Sequence, residues 1–165
     1  MRAVWIAVAA AMTLTVAGPA MAGDNRLGVG ANYWVALDDI DSDVDDTGFS
    51  WLLSYQHRAG IVTFELDGEL LPDRFGETAI APEAYLLIGG VIYAGAGIGI
   101  IYSDSSFADE PFFALRAGLD LELLPGLHLD VSGNYRFNDS ADLKDSQRDI
   151  DTDTVFLGAT VRIEL

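Results

Sequence analysis

Along much of this chain apolar and polar residues take turns one by one. From 48 to 58, Phe49, Trp51, Leu53 and Tyr55 alternate with Ser50, Ser54, Gln56 and Arg58. From 61 to 71, Val62, Phe64, Leu66 and Leu70 alternate with Thr63, Glu65, Asp67 and Glu69. The stretch 111–123 sets Phe113, Leu115, Ala117, Leu119, Leu121 and Leu123 against Arg116, Asp120 and Glu122. In 127–137, Leu127, Leu129, Val131, Tyr135 and Phe137 oppose His128, Asp130, Ser132, Asn134 and Arg136. In 154–165, Val155, Leu157, Ala159, Val161, Ile163 and Leu165 oppose Thr154, Thr160, Arg162 and Glu164. Strand side chains have period two, so each set is one face of a sheet. With 26–37, 79–88 and 91–102, the chain predicts eight strands of about ten residues, the length a tilted strand needs to cross a bilayer.

The connections alternate in length. Ala59-Gly60, Gly89-Gly90 and Leu124-Pro125-Gly126 read as tight turns after the second, fourth and sixth stretches. Longer polar loops are expected after the first, third, fifth and seventh, the longest from Asn138 to Asp153. Short turns at one end and long loops at the other are the outer-membrane arrangement, with the short ends periplasmic. Pro82 removes one ladder donor and is expected at a bulge or a strand rim.

Alternation alone leaves two barrels open, one with its apolar face inside and one with it outside. The aromatics separate them. Tyr33, Phe49, Trp51, Tyr102, Phe113, Tyr135 and Phe137 share the apolar face near the long-loop end, where a ring is expected at the level of the headgroups. The fold class is therefore all-β, an eight-stranded antiparallel up-and-down transmembrane β-barrel. Closure is required, because in hydrocarbon every backbone N–H and C=O must be paired.

Composition then divides the chain. Arg2, the apolar run Ala3–Val16, the Gly18-Pro19 break and Ala20-Met21-Ala22 form an export signal over residues 1–22, leaving 23–165 as the barrel. The chain has no cysteine, so neither a lipid-anchored cysteine nor a disulfide framework is expected. The net charge of −17 argues against nucleic acid as a partner. A mean hydropathy of +0.25 beside that charge requires the apolar and charged residues to be kept apart, as they are on two faces of a barrel.

The stretches Ala84–Tyr102 (AYLLIGGVIYAGAGIGIIY), Phe112–Glu122 (FFALRAGLDLE) and Leu127–Asn138 (LHLDVSGNYRFN) resemble the small eight-stranded outer-membrane barrels, the OmpA/OmpX-like, porin-family proteins. The resemblance covers 23–165 as a pattern. It implies a place in the bacterial outer membrane, with outer-membrane lipid and lipopolysaccharide as neighbours, and a monomer. Such barrels commonly end in an aromatic residue, whereas Leu165 stands here. A periplasmic peptidoglycan-binding domain, present in the two-domain members, is not expected.

The face assignment sends Arg58, Arg116, Arg136 and Arg162 to the lumen with Glu65, Asp67, Glu69, Glu83, Asp120, Glu122, Asp130 and Glu164. An eight-stranded barrel is just wide enough for side chains to fill it. Charges packed there are expected to pair into a plug, because an unpaired buried charge is strongly disfavoured. The alternative is a narrow cation-preferring channel, since eight carboxylates face four arginines. Gly95, Gly97 and Gly99 are expected to make room for arginines or for inward aromatics such as Tyr93 and Phe112. In the loops, Asp38, Asp39, Asp41, Asp43, Asp45 and Asp46, and Asp139, Asp142, Asp145, Asp149, Asp151 and Asp153, read as solvated acids. Weak Ca²⁺ or Mg²⁺ binding is the minority reading there. Asp46 stands where a calcium loop needs Gly and Leu52 where it needs Glu, so an EF-hand fails. No cofactor and no enzymatic activity are expected. His128 and Ser132 share a face but lie about 13 Å apart at ~3.3 Å per residue, too far for a nucleophile–base pair. A membrane-embedded lipid-modifying enzyme is the least favoured reading.

Overall fold

The computed structural model describes residues 23–37, 47–74, 77–103, 106–108, 111–142 and 149–165. The expected signal peptide, the acidic residues Asp38 to Asp46 and Asp145 lie outside the described residues, as do the side chains of Asp139, Asp142, Asp149 and Asp151. The strands are β1 (Asp24–Ala36), β2 (Thr47–Ala59), β3 (Val62–Arg74), β4 (Glu77–Gly89), β5 (Ile92–Gly99), β6 (Tyr102–Ser103), β7 (Ser106–Phe107), β8 (Phe112–Leu124), β9 (Leu127–Asp142) and β10 (Asp149–Glu164). Five of them, β1 to β5, and then β8 to β10 are the eight staves of a barrel. Each pairs antiparallel with the next, and β1 also pairs with β10 from Arg26↔Glu164 to Ala36↔Thr154, so the sheet closes on itself.

The stagger of the barrel can be followed through its partners. From Arg26 the registered path runs through Gln56, Glu65, Tyr85, Gly97, Ala114, Arg136 and Thr154, and returns to β1 at Ala36. That displacement of ten residues over eight strands tilts them roughly 40° from the barrel axis, at ~3.3 Å per residue and ~4.8 Å between strands. A 13-residue strand such as β2 then rises about 33 Å, more than the ~25 Å apolar band such barrels present.

The short turns are where the spacing places them, and Gly60 (φ 64°) and Gly126 (φ 75°) adopt the left-handed conformation that those turns need. Two expectations are corrected. The connection after the third stretch is not a long loop, since the ladder continues past a bulge to Arg74↔Glu77. Likewise β9 and β10 remain paired to Asp142↔Asp149, beyond a bulge near Thr152, so most of Asn138–Asp153 is hairpin. Backbone pairing evidently persists in these polar segments past the end of the apolar alternation.

Pro82 sits inside β4, at neither a bulge nor a rim. Ile100 N–H donates to its carbonyl at 3.2 Å, and Pro82 has no N–H to return. The ladder therefore lapses at Ile100 and Ile101, yet the alignment is the same on both sides, Glu83↔Gly99 and Ile80↔Tyr102. Strand β6 thus continues β5 beyond the gap and turns into β7.

The two faces sort as the alternation predicts. Phe49, Trp51, Leu53, Phe64, Leu115, Leu119, Leu157 and Val161 are exposed on the outside. The inside is buried, and its long-loop half is apolar: Trp34, Leu71, Ala79, Ala81, Ile101, Phe112 and Phe156 form one cluster.

Candidate functional site

Beneath that apolar cluster the lumen is charged, and its groups fall into three connected tiers. Nearest the cluster, Arg136 on β9 reaches across to Glu69 on β3 and to Glu83 on β4, the latter at 2.6 Å. Asn32 Nδ2 donates to Glu69 at 2.6 Å, and the Ser50 hydroxyl donates to the same oxygen. The Tyr85 hydroxyl donates to Glu83 and accepts from Asn134 Nδ2 at 2.7 Å. The Arg136 guanidinium lies 3.8 Å from the Phe156 ring centroid and 4.7 Å from that of Phe112, so the apolar cluster also acts as its cation–π partner.

The middle tier holds two arginines and three carboxylates. Arg116 donates to Glu65 at 2.9 Å and to Asp67 at 2.8 Å, while stacking 3.8 Å above the Tyr85 ring. Arg162 donates to the same Glu65 oxygen at 2.8 Å and lies 3.1 Å from Asp130, an ion pair without the alignment of a hydrogen bond. Gln56 completes Glu65 at 2.6 Å, and the Ser54 hydroxyl accepts from Arg162 Nε at 3.1 Å. Charge-assisted bonds of this kind are the strong ones, and their number here offsets part of the cost of taking the ions out of water.

The third tier closes the short-turn mouth. Arg26 joins Asp120 (2.6 Å) and Glu164 (3.1 Å), His128 touches the same two carboxylates at 3.2 and 3.1 Å, and Arg58 adds a contact to Asp120 at 3.1 Å. Groups from β1, β2, β8, β9 and β10 meet here, across the seam between the first strand and the last.

The structure thus brings Glu65, Asp67, Glu69, Glu83, Arg116, Asp120, Asp130, Arg136 and Arg162 together inside the barrel. Arg58 and Glu164 lie at its mouth, with Glu164 39% exposed. Glu122 stands apart: it is exposed and accepts from Gly126 N–H at 3.3 Å in the β8–β9 turn, because β8 runs past the end of the lumen while its alternation continues. The face assignment omits Arg26, Asn32 and Tyr85. Arg26 shares the parity of Gly28, Asn32 and Trp34 and is found by counting back from them. Tyr85 shares the inward parity of Glu83 on β4, but apart from Glu83 both faces of that strand are apolar, so nothing separates an inward tyrosine from a lipid-facing one.

Two of the three glycines of β5 make room for inward aromatics as expected, none lies against an arginine, and Gly95 instead lies against Leu87 and the Leu86 carbonyl. A Cβ on Gly97 would sit 2.3 Å from the Tyr85 ring, and one on Gly99 2.3 Å from Phe112. Tyr93, also inward, lies over Gly118 of β8.

No protein-family model matches the sequence, and no curated protein matches it. Solved structures do. Neisserial surface protein A (NspA) superposes with a TM-score of 0.65 at 16% identity, over 86% of this chain and 97% of that one. The N-terminal β-barrel domain of Pseudomonas aeruginosa OprF gives 0.51 at 14% identity, over 86% and 99%. The outer membrane protein AlkL, determined in DMPC lipid bilayers, gives 0.52 at 13%, over 90% and 95%. The chain has the fold of the small eight-stranded outer-membrane barrels, with an apolar outer wall.

Proposed function

We propose that residues 23–165, freed of an export signal over 1–22, act as a monomeric structural or surface-interaction barrel whose lumen is plugged by its own ion-paired side chains. The observation that carries this reading is the stack itself: three tiers of charges joined across the bore, beneath an apolar cluster centred on Trp34, Phe112 and Phe156. An open pore would need a path of water through this stack, and each ion pair parted to make it leaves charges uncompensated in a confined interior. With the bore occupied, contact with the surroundings falls to the outer wall and the loop end. There the barrel meets outer-membrane lipid and lipopolysaccharide.

A narrow cation path is the second reading, favoured by the surplus of carboxylate over guanidinium in the first and middle tiers. Single-channel recording in planar bilayers separates the two. The plugged barrel shows no resolved conductance in 1 M KCl, while regular cation-selective steps in the unaltered protein would establish the channel.

A further inference from the structure

The lipid-facing wall is not uniformly bulky. At mid-height it presents Leu53, Leu86 and Leu115 on β2, β4 and β8. Where β1, β9 and β10 adjoin, the outward positions are instead Ala31, Gly133 and Ala159, which floor a groove of about 520 Å³. Ala31 and Ala159 are registered partners across the closing seam, and Gly133 is the registered partner of Leu157, which walls the groove. At the long-loop end stand Tyr33 and Phe49, their ring centroids 5.2 Å apart, and Val131 closes the other end.

The position of the groove limits what can fill it. It is continuous with the apolar outer wall, so its surroundings are hydrocarbon. It begins at the aromatic ring, the level of the headgroups, and descends toward mid-bilayer, the course of a lipid tail in the outer leaflet. The polar side chain of Asn32 turns inward to Glu69, and the groove carries no charged side chain to hold a headgroup. We propose that this groove holds one saturated acyl chain of an outer-leaflet lipid, selected by the fit of a straight chain along the small residues. A cis double bond puts a bend in the chain at mid-length, and a bent chain cannot lie along the floor. The exchange here is with other lipid, so removal of apolar surface from water adds little to the affinity. The preference therefore rests on packing.

The test uses the protein in vesicles of equimolar dimyristoyl- and dioleoylphosphatidylcholine, followed by native mass spectrometry of the released barrel. One retained lipid per barrel, enriched in the dimyristoyl species, is expected. It is lost in Gly133→Leu/Ala159→Leu, which fills the groove, and kept in Ala94→Leu, an exposed outward position on β5 across the barrel. A Cβ at Gly133 meets Leu157 at an ordinary 3.6 Å, so the floor accepts side chains. Heat-modifiable gel migration checks that each variant is a barrel; if the double variant is not, Ala159→Leu alone takes its place. No retained lipid in the unaltered protein, equal retention of both lipids, or retention unchanged by filling would overturn the proposal. A dimer abolished by filling would also overturn it, assigning the groove to a second copy.

Discussion

Arg136 is 1% exposed and bonds two carboxylates, with the rings of Phe112 and Phe156 close to its guanidinium. Its removal leaves Glu69 and Glu83 buried in the lumen without their cation. Breaking a buried pair from one side typically costs about 3–5 kcal/mol, whereas replacing the whole set with apolar groups is often close to neutral. Arg136→Met is expected to lower stability by that amount, read from the urea midpoint of folding into lipid vesicles. Adding Glu69→Gln and Glu83→Gln to the same chain is expected to restore part of the loss. Strictly additive losses would mean that these three residues do not act as one unit. Gly97 sets a different constraint, since any side chain there must displace Tyr85 and with it the face on which Arg116 stacks. Gly97→Val is predicted to cost about 1–3 kcal/mol, as overpacking does, and a neutral result in the same titration would mean that the ring does not fill the space.

At the scale of the strand, depth decides what a substitution costs. Leu66 faces lipid near mid-height of β3, and an arginine there is expected to cost about 2–4 kcal/mol, against ~0–1 for Leu123→Arg near the short-turn interface. Equal effects at the two positions would place the membrane elsewhere on the barrel. The same geometry explains what could be read from the chain. On β2, β3, β8, β9 and β10 one face meets hydrocarbon and the other meets ions, so the alternation is plain and yields eight of the buried lumen charges, the ninth, Glu83, lying on β4. On β4 the inner positions Ala79, Ala81 and Leu87 belong to the apolar cluster while Ile80, Leu86 and Ile88 face lipid. Apart from Glu83 both faces are apolar, and Tyr85 does not stand out among them. Glu122 misleads for the opposite reason: the period of the strand outlasts the lumen. The extended hairpins were likewise illegible, because pairing outside the membrane needs no hydrophobic pattern, only two backbones in register. Counting from Gly28 and Trp34 would have found Arg26.

For the whole molecule, closure is what joins these parts. The first and last strands are hydrogen-bonded along eleven registered pairs, and the third tier ties their ends together through Arg26, His128 and Glu164. A closed barrel keeps its shape in detergent until heated, so the unheated protein is expected to migrate differently from the boiled one on a gel; a single unshifted band would count against closure. The most direct test of the account's central claim, lipid outside and a filled, charged lumen inside, is the oxygen accessibility of spin labels placed singly along β1 in a phospholipid bilayer. High accessibility at positions 27, 29, 31, 33 and 35, alternating with low accessibility at 26, 28, 32 and 34, is the predicted result. The reverse alternation, or none, would contradict it.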